Sequence, residues 1–176
     1  MDRILTVSVT GAELSFVVAP ISVEHAESFH SCLDVVARER RYLAQTKVLP
    51  LEKVQEFVEA SVINDSIQFV ALDGDRVVGW ADIFSAWQDA ISHRGSLGMG
   101  VLPIYRGQKV GETLLHSCIE KAKVKGITCI ELETREDNLP AIRLYEKFDF
   151  RLDCVKSHGM RFDGVYFATV QMSLIL

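Results

Sequence analysis

Between Gly95 and Phe150 the chain switches repeatedly between two hydrophobic periods, and this alternation limits its fold more than any other feature. Gly95 to Leu102 is a strand-like run that stops at Pro103. Gly111 to Lys125 then carries Leu114, Leu115, Cys118, Ile119 and Ala122 on one face at helical spacing, and Gly126 ends it. Thr128 to Glu133 is again a short apolar strand. Asn138-Leu139-Pro140 opens a further helix, with Ala141, Ile142, Leu144, Tyr145 and Phe148 directed inward. Strands interleaved with amphipathic helices predict an α/β class with a mixed sheet covered on both faces.

The rest of the chain fits the same plan. Leu14 to Ala19 reads as a strand, with an extra one possible at Ile4 to Val9. Ser22 is a candidate N-cap for a helix whose period runs from Val23 to about Arg41, and a second helix follows Pro50. Ile67 to Leu72 and Val77 to Phe84 flank Asp73-Gly74-Asp75 as a hairpin. Arg151 to Ser157 and Val165 to Leu174 are the last strands, around Phe162-Asp163-Gly164. With 176 residues and neither repeats nor a linker, residues 1–176 are expected to form a single domain.

Composition removes several classes of function. The net charge is -5, and the densest basic cluster, Arg38, Arg40 and Arg41, has Glu39 inside it, so nucleic acid is not the expected partner. No stretch approaches the ~20 apolar residues that span a bilayer. The N-terminus lacks a signal-peptide profile, which points to a cytoplasmic protein with no membrane attachment. Four separated cysteines and five histidines share no ligand spacing, so no metal is expected.

The chemistry concentrates in Val101-Leu-Pro-Ile-Tyr-Arg-Gly-Gln-Lys-Val-Gly-Glu-Thr-Leu-Leu115. A strand ends at a proline, a polar loop with two glycines follows, and a helix begins. First-turn amides lack intrahelical partners and carry the positive end of the helix dipole, so such a terminus can hold phosphate. A plain strand-to-helix turn would read the same way. The glycine spacing fits neither the dinucleotide fingerprint nor the P-loop.

Arg106-Gly-Gln-Lys-Val-Gly111 resembles the pyrophosphate loop of the GNAT superfamily of N-acetyltransferases, with Lys109 where that family usually has its middle glycine. Asn138, Ala141, Leu144, Tyr145 and Phe150 fall on the family's second motif, with Asp149 in place of another usual glycine. The resemblance implies a GNAT-like fold with a central splayed sheet of six to seven strands and helices on both faces. It implies acetyl-coenzyme A as cosubstrate. Met99, Gly100 and Val101 would meet its thioester and pantetheine, Arg106, Gly107, Gln108, Lys109, Val110, Gly111 and Glu112 its pyrophosphate, and Asn138 the arm from the other side. Tyr145 matches the acid that protonates the departing thiolate, although its helical spacing also suits a core aromatic. Glu133, twelve residues before Tyr145, is the candidate base, with Glu39 the alternative. Arg38, Glu39 and Tyr42 would line the acceptor pocket, unless they are a solvated charge run.

The expected acceptor is a small-molecule primary amine such as an amino acid. A protein N-terminus, as in ribosomal-protein acetyltransferases, is the alternative, and an inactive coenzyme A-binding module comes third. The apolar end from Val165 to Leu176 suggests a homodimer.

Overall fold

The computed structural model describes residues 5–7 and 15–176. Its strands are β1 (Leu5–Val7), β2 (Phe16–Pro20), β3 (Ile67–Asp73), β4 (Arg76–Ser85), β5 (Arg94–Val101), β6 (Cys129–Arg135), β7 (Arg151–Phe162) and β8 (Val165–Ile175). The helices are α1 (Ala26–Arg38), α2 (Leu51–Ile63), α3 (Val110–Val124) and α4 (Leu139–Lys147). The strands form one sheet in the order β1-β2-β3-β4-β5-β6-β8-β7, antiparallel except between β5 and β6. Eight strands exceed the expected six to seven, because Leu5–Val7 pairs with β2 at the edge. The remainder of the Ile4 to Val9 reading, and Leu14, lie outside the described residues.

Alternation along the strands sorts the two faces. Phe29 of α1 packs edge-on to Trp80 of β4, with ring centroids 5.8 Å apart. A side chain on Gly79, the preceding residue, would instead meet Leu114 of α3 at 3.3 Å. Thus α1 and α2 cover the Trp80 face, and α3 covers the other. Leu114, Leu115, Cys118 and Ala122 are fully buried there, each leucine contributing ~1.5–3 kcal/mol of hydrophobic stabilisation. Helix α4 joins α3 on that face, where Leu144 approaches Gly111.

Two segment ends differ from the sequence reading. Helix α1 stops at Arg38 instead of near Arg41, because Arg40 takes a left-handed φ of 50°. Tyr42 therefore lies beyond the helix and does not share a helical face with Arg38. Strand β7 runs on to Phe162, past the expected Ser157, in a long hairpin with β8. Its two-residue turn, Asp163 and Gly164, has φ of 51° and 86°, the doubly positive geometry that matches strand twist.

Candidate active site

The parallel pairing of β5 and β6 lasts for three residue pairs, Arg94↔Cys129, Gly95↔Ile130 and Ser96↔Glu131. Beyond them β5 stays on β4 as far as Val101, and β6 stays on β8 as far as Arg135. The sheet therefore splits between Leu97–Val101 and Leu132–Arg135. The Leu102 amide donates to the Val78 carbonyl on β4 at 2.9 Å. Peptide groups alternate along a strand, so those of Val101 and Met99 face the gap. Gly100 faces β4 by the same rule. A Cβ there would lie 2.3 Å from the Trp80 ring, so its bareness is explained by Trp80.

The loop after β5 is anchored at several points. Tyr105 is buried and donates its hydroxyl to Asp73 Oδ2 at 2.6 Å. Arg106 donates Nε to the Val101 carbonyl at 2.9 Å and grips both oxygens of Glu39 with its other nitrogens. Gln108 donates to the Ile104 carbonyl at 2.7 Å. These side chains brace the loop and leave its backbone to face outward. Gly107 and Lys109 have left-handed φ of 75° and 65°, which explains why glycine suits position 109. Among the described residues, the amides from Gly107 to Lys109 make no backbone hydrogen bond, and Thr113 is the first to donate back, to the Lys109 carbonyl. Val110, Gly111 and Glu112 are the first turn of α3, so a row of free donors ends in the positive pole of that helix. Lys147 of α4 neutralises the Glu112 carboxylate at 2.7 Å. Gly111 also lets α3 sit close: a Cβ would meet Met99 at 3.2 Å and Leu144 at 3.3 Å.

Across the gap, Asn138 precedes α4 and donates Nδ2 to Thr134 Oγ1 at 3.0 Å. The other end of α4 fixes Tyr145. Asp149 is left-handed with φ of 66°, its amide bonds Glu146, and the Phe150 amide bonds the Tyr145 carbonyl. That is a Schellman motif, and the accompanying apolar contact is Tyr145 on Phe150 with ring centroids 5.8 Å apart. Burial pushes the Tyr145 phenol up to about 12, and no described residue hydrogen-bonds its hydroxyl.

The other predicted residues already have partners within the protein. Glu133 accepts from Lys156 Nζ at 2.6 Å and from Thr169 Oγ1 at 2.5 Å. Burial raises its carboxyl, but those two donors outweigh burial and hold it below the usual carboxylate value. Arg38 pairs with Asp34 one turn back at 2.5 Å. Tyr42 lies under the guanidinium groups of Arg41 and Arg106, 5.2 and 5.4 Å from its ring centre. Glu39 and Tyr42 thus belong to a network around Arg106, and Arg38 stands apart from it on Asp34.

The cavity lies further along that face. It is an open-mouthed cavity of ≈ 430 Å³ between α1, α2, β4, β5 and the segment 43–49, against Phe29, Leu33, Val54, Phe57, Trp80 and Met99. Asp82 lines it, accessible only in part. Removal from bulk water pushes its carboxyl up to about 7, against the opposing Gly98 amide. Sequence reasoning passed over Asp82. The available signal was a lone carboxylate inside Val77-Val-Gly-Trp-Ala-Asp-Ile-Phe84, an otherwise apolar strand. Among the described residues no group of three or more His, Cys, Asp or Glu could hold a metal ion.

The family model described as the acetyltransferase (GNAT) family matches residues 31–150. N-alpha-acetyltransferase 30 of Schizosaccharomyces pombe is 34% identical over 83 residues, 47% of this chain and 55% of that protein. The chain spans about half the length of the curated relatives it matches. A ribosomal-protein-alanine N-acetyltransferase from Brucella melitensis superposes with a TM-score of 0.84 at 18% identity, over 90% of this chain and 99% of that one. A phosphinothricin acetyltransferase from Sinorhizobium meliloti, solved with acetyl-coenzyme A, superposes with a TM-score of 0.82 at 17% identity, over 90% and 87%. The structural likenesses speak for the fold, and the family match covers the split, the loop and α4 together. This chain belongs to the GNAT family of acetyltransferases.

Proposed function

We propose that this protein is an N-acetyltransferase that moves the acetyl group of acetyl-coenzyme A onto the primary amine of a small molecule, by direct attack in a ternary complex. The observation that carries the reading is the split between β5 and β6 with the free amides of residues 107–112 at the end of β5. The donor set fits the cosubstrate. Met99 and Val101 offer strand-edge peptide groups to a pantetheine arm, and the Met99 amide would donate to the thioester oxygen. The loop amides and the α3 pole would hold the pyrophosphate. Asn138 borders the arm from α4, and Tyr145 is the proton donor to the leaving sulfur. Arg106 supports the loop through Glu39 and the Val101 carbonyl, at the edge of the phosphate-binding amides.

The ≈ 430 Å³ volume of the cavity, bordered by Leu43, Ala44, Gln45 and Leu49, supports a small acceptor. The second reading, acetylation of a protein N-terminus, is favoured by the names of the relatives from S. pombe and B. melitensis. Thiol release from acetyl-coenzyme A, followed with a panel of free amines and N-terminal peptides, separates the two. Release with no acceptor, or with peptides alone, overturns the small-molecule reading. A homodimer is part of the proposal, built on the exposed edge strand β7, and light scattering at micromolar concentration tests it.

A further inference from the structure

We propose that the cavity between α1, α2 and β4 selects a primary amine with an uncharged, apolar body, and that Asp82 both holds its ammonium and takes its proton. The inference rests on the acetyltransferase reading and narrows it to one substrate class. The lining is aliphatic and aromatic apart from Gln45, Lys53 and Asp82. Lys53 is committed to both carboxylate oxygens of Glu56, at 2.9 and 2.7 Å. Among the described residues lining the cavity, a carboxylate on the acceptor would meet no cation other than the paired Lys53, and it would face Asp82. Desolvating such a charge without a partner costs several kcal/mol, so amino acids are disfavoured. An ammonium, by contrast, would complete the Asp82 site.

Gln68, the cross-strand neighbour of Asp82, strengthens the assignment. It is opposite Asp82 in the β3–β4 register, and directly paired residues share a face. Gln68 is 1% exposed, and neither its Nε2 nor its Oε1 has a hydrogen-bond partner. Buried amides are rarely left so, because each orphaned group costs ~1–3 kcal/mol. An amide beside a carboxylate can offer that carboxylate a donor. Across β5, Gly98 clears the space, since a Cβ there would lie 2.8 Å from Asp82 Oδ1.

The proton balance is simple. Asp82 removes one proton from the ammonium, and the freed nitrogen pair attacks the thioester carbon. The C–N bond forms, the C–S bond breaks, and the sulfur leaves with the bonding pair. The second amine proton is lost as the amide forms, and the sulfur is protonated. The products are the N-acetyl amine, the free thiol and one proton, which Asp82 returns to water. A carboxyl poised near neutrality suits that exchange.

The test uses Trp87→Phe, in which Trp80 on the cavity wall is the remaining tryptophan. Its fluorescence is titrated with 2-phenylethylamine, 2-phenylethanol and L-phenylalanine, without and with coenzyme A. The amine is expected to bind at least ~tenfold more tightly than either analogue, about 1.4 kcal/mol or more. Asp82→Asn should erase the preference for amine over alcohol. Equal or tighter binding of phenylalanine, no saturable signal with the amine, or an amine preference that survives Asp82→Asn would each overturn the proposal. The native comparison decides even if the variant does not fold. Thiol release separates the two levels: turnover of acetyl-coenzyme A with other amines but not with 2-phenylethylamine sinks the selectivity alone. Failure to bind acetyl-coenzyme A sinks the enzymatic reading.

Discussion

At the level of single residues, the two proposed proton carriers differ by about five units, near 12 for Tyr145 and near 7 for Asp82. A phenol that weakly acidic could not protonate an exposed thiolate, whose ordinary value is ~8.5. Burial changes that comparison, since it takes the Cys32 thiol in this protein up to about 12 even against the opposing charge of Arg76. A sulfur leaving in a dry slot is therefore matched to the phenol. Tyr145→Phe should keep acetyl-coenzyme A affinity and lower the single-turnover rate ~100- to 10,000-fold, the usual range for a general acid. Wild-type turnover in that variant would leave Tyr145 as core packing on Phe150. For Asp82, the folded-state value lies above the ordinary 3.8, so folding takes up a proton between the two. Stability from this group is greatest in acid and falls as pH rises toward about 7, then levels off. The charged or titratable groups around it are Lys53 on α2 and Cys118 on α3. Asp82→Asn should flatten that part of the Tm-against-pH curve and remove the acidic limb of the rate profile. Glu133→Gln should leave that limb in place, because Lys156 and Thr169 already occupy its carboxylate. Asp82 was hidden in the sequence because its meaning depends on α1, α2 and β5 arriving around it from distant segments.

Elements were legible where local periodicity and turn chemistry decide them, and less so where distant partners intervene. The Asp163-Gly164 turn, the α3 stripe and the left-handed end of α4 at Asp149 follow from residue types a few positions apart. The end of α1 does not, because Arg106 holds Glu39 and Asp163 holds Arg40 at 2.7 Å, both from far along the chain. The Asp149 cap makes a prediction: Asp149→Gly should raise stability by ~0.5–1 kcal/mol, since a left-handed conformation costs a side chain more than it costs glycine. A lower Tm would mean that the Asp149 side chain contributes something the cap geometry does not explain. Gly111 should respond oppositely. A Cβ at 3.2 Å from Met99 and 3.3 Å from Leu144 is already tight, and valine adds two methyl groups. Gly111→Val should cost ~1–3 kcal/mol in denaturant unfolding, as overpacking does, and should weaken acetyl-coenzyme A binding by shifting the start of α3. Full stability with lost affinity would show that Gly111 serves the ligand alone.

Over the whole molecule, the sheet is two blocks, β1 to β5 and β6 to β8, joined by three residue pairs. Without ligand, the amides of Met99 and Val101 should exchange with deuterium much faster than their neighbour Gly100, and acetyl-coenzyme A should slow them selectively. Uniform protection along β5 would show that the edge is already satisfied. The same three pairs have a mechanical meaning. A force drawn across the strands finds its weakest line at Ser96 and Glu131, so the protein should part there like a zip already half undone. A molecule that bridges the two blocks would act as the missing teeth, raising the rupture force along that one line while leaving β7 and β8 to peel as before.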